Sequence, residues 1–247
     1  MDNSFSIKVD GTGEEFSVAN NTADTLLGAA LRQGLGFPYE CNSGGCGSCM
    51  FEVVSGEVKE LWPEAPGLST RARERGRRLA CQCEPTSDCV IKVRLKDDYV
   101  PLHRPARVSA TLVEVRKLTH DLTEFCFKTP EPAAFLPGQF ALLHLPGVEG
   151  ARAYSMSNLP TDGGTWNFII RHVPKGRGTA VLFTQIKTGD QIEIDGPYGL
   201  AYLRPESPRD IVCIGGGSGL SPMVSIVRAA VRDPRLANRK ITFFYGA

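Results

Sequence analysis

Cys41, Cys46 and Cys49 stand at C-x4-C-x2-C spacing, and Cys81 follows thirty-two positions after the last of them. Thiolates are soft, strongly donating ligands, and four of them at this spacing can hold an iron–sulfur cluster. A closed zinc site also takes four thiolates, but such sites are typically built from paired C-x2-C knuckles. The fourth cysteine here lies in Leu79-Ala80-Cys81-Gln82 without such a partner, so the iron–sulfur reading is preferred. Cys83, two residues on, is a second candidate for the fourth ligand. A loop wrapped round a cluster must turn backbone N–H groups toward sulfur and needs φ > 0 in places. Gly44, Gly45 and Gly47 supply that freedom without strain.

Three further stretches could do chemistry. Arg152-Ala153-Tyr154-Ser155 ends a strand-like run. Gly176-Arg177-Gly178-Thr179 opens a helical pattern; its glycines admit a ligand close to the backbone, and the free N–H groups of a first turn, aided by Thr179, make an anion site. Gly215-Gly216-Gly217-Ser218-Gly219-Leu220-Ser221-Pro222 follows the apolar run Ile211 to Ile214 and precedes a helix. A Gly-rich turn between a buried strand and a helix binds pyrophosphate through its N–H groups and the helix dipole. It is not the dehydrogenase G-x-G-x-x-G, because Leu220 stands where the last glycine would be.

The elements that must position these residues are legible from periodicity. Phe5, Ile7 and Val9 alternate with polar residues, and Asp10 to Gly13 turns into a second alternating run through Phe16 and Val18, a hairpin signal. A helix capped by Thr22 or Asp24 carries Leu26, Leu27, Ala30 and Leu31 and stops at Gly34. Met50 to Val54 and Cys89 to Val93 read as strands. Lys96 to Pro105 has no periodicity and reads as a linker. Beyond it, Val108 to Val115, Thr123 to Lys128, Gln139 to Leu145, Arg152 to Met156, Trp166 to Val173 and Gln191 to Ile194 are six short strands, a pattern suited to a closed antiparallel barrel. One helix, Thr179 to Lys187, interrupts them. The strand at Ile211, a helix from Met223 to Val231 capped by Ser221 with Pro222 at its first position, and a strand from Ile241 to Tyr245 make one βαβ unit.

Taken together, these motifs resemble a plant-type 2Fe–2S ferredoxin fused to a ferredoxin–NADP reductase-like module, as in the reductase components of bacterial multicomponent oxygenases. Pro38 to Gly47 and Leu61-Trp62-Pro63-Glu64-Ala65-Pro66-Gly67-Leu68 look most like the toluene-type diiron monooxygenase reductases. The resemblance implies a multidomain α+β chain: a β-grasp ferredoxin domain over residues 1–96, a linker over 97–106, a six-stranded antiparallel Greek-key FAD barrel over 107–207, and over 208–247 the first βαβ of a doubly wound nicotinamide-binding domain. It selects Cys81 over Cys83 as the fourth ligand. It also implies that Arg152 binds the FAD pyrophosphate, that Tyr154 lies against the isoalloxazine and that the Ser155 hydroxyl reaches N5, the latter two as the catalytic pair. Gly176, Gly178 and Thr179 would hold the flavin diphosphate, and Gly215, Gly216, Gly217, Ser218 and Gly219 the nicotinamide dinucleotide, NADH rather than NADPH. Asp195-Gly196-Pro197-Tyr198-Gly199 resembles the family's turn toward the nicotinamide domain, with Tyr198 as a packed aromatic.

The implied function is electron transfer from NADH through FAD to the cluster, and on to an oxygenase or hydroxylase component or its Rieske-type ferredoxin. The rival readings are a non-enzymatic one-electron carrier and the reductase of a ring-hydroxylating dioxygenase. A sodium-pumping quinone reductase subunit would need a membrane anchor that the N-terminus lacks. The nicotinamide domain is short of the family's full sheet, so truncation and poor reduction by NADH are expected.

Composition agrees. At 247 residues two or three domains are expected, and a net charge of +1 gives no electrostatic reason for nucleic acid or an acidic membrane surface as partner. The N-terminus has no secretion signal and no apolar run reaches a membrane span, so a cytoplasmic, monomeric protein is expected. Cys83, Cys89, Cys126 and Cys213 lie mostly in apolar runs and read as buried, inert thiols. The four histidines show no ligand or triad spacing. Arg71 to Arg78 is either a solvated face, the preferred reading, or a docking patch for an acidic partner.

Overall fold

The computed structural model describes residues 4–20 and 23–246, and the chain divides into two compact units, Met1–Pro105 and Ala106–Ala247. The first unit is a five-stranded mixed sheet with one helix. β1 (Ser4–Val9) and β2 (Glu15–Ala19) form the expected hairpin, with Ile7, Val9, Phe16 and Val18 turned inward. Helix α1 (Leu26–Arg32) is capped by Thr25, whose hydroxyl accepts from Gly28 N–H at 3.1 Å. The sequence pointed instead to Thr22, which lies outside the described residues, or Asp24, whose carboxylate is taken by Arg32. The helix closes through Gln33, and Gly34 adopts φ +85°, the left-handed residue just past its end.

After the cysteine loop come β3 (Met50–Ser55), β4 (Val58–Glu60), helix α2 (Thr70–Glu74), β5 (Arg77–Leu79), β6 (Cys83–Pro85) and β7 (Cys89–Lys92). The main sheet runs β2-β1-β7-β3-β5, with β4 and β6 paired separately. β1 lies parallel to β7 while β7 pairs antiparallel with β3, which puts α1 across the sheet as in a β-grasp. The stretch read as a linker is anchored to this unit. Lys96 N–H donates to Gly36 O at 2.9 Å, and Tyr99 rests 6.4 Å from the Tyr39 ring. A side chain at Gly36 would stand 2.1 Å from the Lys96 carbonyl oxygen, so glycine is required there.

The basic run is largely neutralised within the fold. Arg73 and Arg78 both reach Glu60, at 2.5 and 2.7 Å, and Arg77 reaches Glu52 at 3.3 Å. Arg71 and Arg75 remain on the exposed face, in keeping with a solvated surface.

The second unit opens with the barrel: β8 (Ala106–Lys117), β9 (Leu122–Lys128), β10 (Phe140–His144), β11 (Arg152–Ser155), β12 (Thr165–Arg171), helix α3 (Arg177–Thr184) and β13 (Gln191–Tyr198). The strand order is β11-β10-β13-β8-β9-β12, antiparallel throughout, and a bridge from Met156 to Phe168 brings the two edges together. Phe125, Phe127, Phe135, Trp166 and Phe168 fill the interior, each contributing about 1.5–3 kcal/mol by burial. β13 does not stop at Ile194 as its alternation indicated; it continues through a cis Gly196–Pro197 bond to Tyr198. Tyr198 is fully buried, with its hydroxyl donating to Asp195 at 2.8 Å, as a packed aromatic. α3 begins two residues before the expected Thr179 and ends at Thr184, well before Gly189.

The chain then forms β14 (Ile211–Gly216), helix α4 (Leu220–Ala230) and β15 (Ile241–Gly246), with β14 and β15 parallel. α4 and Cys213 cover one face of this pair, while Val212, Ile214 and Phe244 are more than half exposed on the other. Ser221 is not the cap of α4. The cap is Gly219, and the Ser221 hydroxyl is drawn into the barrel instead. Among the described residues, no helix is long and apolar enough to cross a membrane.

Candidate redox site

The cysteine loop is held by its own backbone and by a second loop. Cys41 Sγ accepts from the N–H groups of Ser43 and Cys46 at 3.5 and 3.3 Å, and Cys46 Sγ from that of Ser48 at 3.4 Å. Cys49 and Cys81 bring their sulfurs to 3.4 Å, both buried, whereas Cys46 is exposed. The structure thus brings Cys81, not Cys83, to the loop. Cys83 is fully buried, its thiol pushed up to about 12 by burial and the Glu60 carboxylate.

Donated hydrogen bonds prepare two of these sulfurs, Cys41 and Cys49, to be thiolates. Burial raises the Cys41 thiol, but the bonds from Ser43 and Cys46 outweigh it and hold it below the ordinary thiol range. The bond from Cys81 lowers Cys49, and the same bond together with burial raises Cys81, so the pair holds its proton on Cys81. Among the described residues, no three His, Cys, Asp or Glu side chains converge as a single metal ion would need. A two-iron cluster needs only two thiolates at each iron. Cys49 and Cys81 stand sulfur to sulfur, and Cys41 and Cys46 share the loop through the Cys46 N–H bond.

The second loop is the Trp62–Leu68 stretch. Gly67 N–H donates to Gly44 O at 2.9 Å, and Leu61 N–H to Gln82 O at 2.8 Å. Trp62 stacks beside Gly44, where an added Cβ would sit 3.1 Å from its ring. Gly47, at φ +79°, meets Gly67 backbone to backbone: a Cβ on Gly47 would lie 2.5 Å from Gly67 O. Gly47→Ala should therefore destabilise the first unit by about 3 kcal/mol, from left-handed strain plus overpacking. Thermal melting of the chain and its sulfide content after reconstitution would register the loss; an unchanged melt with full sulfide would refute the clamp.

In the second unit, β11 carries Arg152, Tyr154 and Ser155, and Arg152 lies over the start of α3. A Cβ on Gly178 would meet Arg152 Cγ at 3.0 Å, so the side chain passes directly across the helix entrance. Its Nη1 donates to the carbonyls of Glu149, Gly150 and Ala151 at 3.1–3.2 Å. The N-cap of α3 is Gly176, with no side chain capping the first turn, which leaves those N–H groups to an anion. Thr179 departs from expectation: its hydroxyl donates to the carbonyls of Val173 and Gly176 at 3.2 Å, which ties the turn rather than facing a ligand. Tyr154 packs on the barrel core and burial raises its hydroxyl. The guanidinium, the helix entrance and the aromatic on one strand fit a dinucleotide flavin.

The Gly-rich turn abuts this strand. Gly215 and Gly216 end β14, and Gly217–Gly219 forms a 3-10 turn into α4. A Cβ on Gly215 would lie 3.1 Å from Gly219 O, and Gly217 adopts φ +52°. Two residues that motif reading missed join here. Arg171, at the end of β12, packs 3.3 Å from where a Gly217 Cβ would be, and Asp121 holds its Nε at 2.6 Å. No sequence motif marks Arg171; only the strand pairing shows it at the turn. Ser221 donates to the Ser155 carbonyl at 2.7 Å and accepts from Ile169 N–H at 3.1 Å, which joins the strand of the flavin motif to the Gly-rich turn.

Comparison with known proteins agrees with both units. Residues 7–86 match the 2Fe-2S iron-sulfur cluster binding domain family, and residues 109–202 the oxidoreductase FAD-binding domain family. The chain is 49% identical over 227 residues to the ferredoxin–NAD(P)(+) reductase CarAd of Metapseudomonas resinovorans, covering 90% of this chain and 68% of that protein. It is 47% identical to the ferredoxin–NAD(+) reductase component of the alkene monooxygenase system of Xanthobacter autotrophicus, covering 89% and 66%. The solved ferredoxin reductase in carbazole 1,9a-dioxygenase superposes with a TM-score of 0.92 at 43% identity, over 98% of this chain and 72% of that one. The chain spans about two thirds of the length of these curated relatives. It belongs to the family of oxidoreductases that serve as reductase components of oxygenase systems, in which a 2Fe-2S ferredoxin domain is joined to a ferredoxin–NADP reductase-like FAD-binding domain.

Proposed function

We propose that the chain passes electrons from NADH through FAD to a 2Fe–2S cluster held by Cys41, Cys46, Cys49 and Cys81, and from there to an oxygenase component or its carrier ferredoxin. Arg152 with the α3 entrance at Gly176 and Gly178 would hold the flavin pyrophosphate, and Tyr154 and Ser155 the ring. Gly215 to Gly219, with Arg171 beside them, would take the pyrophosphate of the nicotinamide. A bound flavin supplies the chemistry that joins a two-electron hydride donor to a one-electron acceptor. The chain's own residues bind, orient and insulate. Tyr154 would shield one side of the ring site, the Ser155 hydroxyl would offer a proton donor and acceptor to the bound ring, and backbone N–H groups would balance sulfur charge.

The observation that carries this reading is the direct bond between the flavin-motif strand and the Gly-rich turn, at Ser155 and Ser221. A chain that carried single electrons only would have no use for a dinucleotide turn set against that strand. Relatives include reductases of both a monooxygenase and a dioxygenase system, so either class of oxygenase suits the terminal partner. FAD retained through desalting, together with NADH-dependent reduction of cytochrome c at a low rate, is the expected result. A protein that keeps its cluster, loses all flavin and reduces nothing would support the carrier reading instead.

A further inference from the structure

Helix α4 docks on the barrel through a polar seam. Ser221, Ser225 and Arg228 recur at i, i+4 and i+7, one face of the helix. Ser221 and Ser225 are 1% and 0% exposed. Ser225 Oγ donates to Asn158 O at 2.7 Å and Arg228 Nη1 to Ser157 O at 3.0 Å, while Ser221 Oγ donates to Ser155 O and accepts from Ile169 N–H. All three carbonyls belong to the four residues that begin with the last residue of the flavin motif. Apolar packing is non-directional and would let the helix slide; hydrogen bonds to three carbonyls within this short stretch set one register.

Within this seam, we propose that Ser221 is a positioning residue for the flavin site. Its hydroxyl uses both donor and acceptor capacity on two neighbouring strands, and the carbonyl it holds belongs to the residue whose side chain would face N5. The inference rests on the flavin reading given above. Removal of this hydroxyl leaves a buried carbonyl and a buried N–H without their partner, so the end of β11 shifts to recover them. Ser225, one turn further along and equally buried, binds only beyond the motif and serves as the internal comparison.

The test uses the full chain and the variants Ser221→Ala and Ser225→Ala. Ser221→Ala is expected to weaken FAD binding about tenfold, to alter the visible circular dichroism of the bound flavin, and in the apo chain to speed amide exchange at Ile169. Ser225→Ala is expected to lower the melting temperature comparably while the flavin dichroism stays that of the unmodified protein. Unchanged affinity, dichroism and exchange in Ser221→Ala, or the same flavin changes in both variants, would overturn the assignment. An unmodified chain that binds no FAD would instead sink the flavin reading, and exchange at Ile169 would still report whether Ser221 orders β11 and β12.

Discussion

Cys81→Ser is expected to abolish the cluster while FAD remains bound. Cys81 is the sulfur that meets Cys49 at 3.4 Å, and no other cysteine lies in its place. Serine is a harder, far weaker donor for iron, and a cluster with three thiolates on two irons is open to hydrolysis. Acid-labile sulfide in the purified protein should fall to background and the visible absorbance to that of the flavin alone, with one-electron reduction of cytochrome c lost. Cys83→Ser separates ligation from packing. Cys83 is buried against Glu60 and takes no part in the loop, so its replacement should keep sulfide content and cost only stability. The reverse outcome, with sulfide lost in Cys83→Ser and retained in Cys81→Ser, would reassign the fourth ligand.

The second large effect is at Arg152. Its present hydrogen bonds go to carbonyls of its own turn, on the exposed side, so its removal should scarcely disturb the barrel. Toward a diphosphate it would instead offer a planar fork with two donors, worth about 1.5–3 kcal/mol for a charged partner. Arg152→Ala should therefore weaken FAD binding by about 10–100-fold, read by recovery of flavin fluorescence on dilution, at nearly unchanged melting temperature of the apo protein. Arg152→Lys keeps the charge but not the fork and should restore only part of the affinity. Full affinity in Arg152→Ala would place the diphosphate elsewhere.

Much of this was legible in the residues. The cysteine spacing and its glycines indicated a cluster loop, and alternation located all six barrel strands, because these signals are local. What escaped was set by tertiary contact. Ser221 has the sequence position of a helix cap, yet the barrel offers its hydroxyl two backbone partners that outcompete capping. Thr179 sits at a helix entrance but turns inward to tie its own loop. Arg171 carries no motif and reaches the Gly-rich turn only through the course of β12. The arginine run showed its charge in sequence but not that Glu60 neutralises two of its members. The clamp between Gly47 and Gly67 joins residues twenty apart whose approach only the folded loops reveal.

The central claim is that one chain holds a two-electron and a one-electron centre in sequence. An anaerobic reductive titration with dithionite, followed by visible absorbance and electron paramagnetic resonance, tests it most directly. The account predicts uptake of about three electrons per chain, two with flavin bleaching and one with the signal of a reduced two-iron cluster. Uptake of two electrons without that signal, or of one without flavin bleaching, would contradict it.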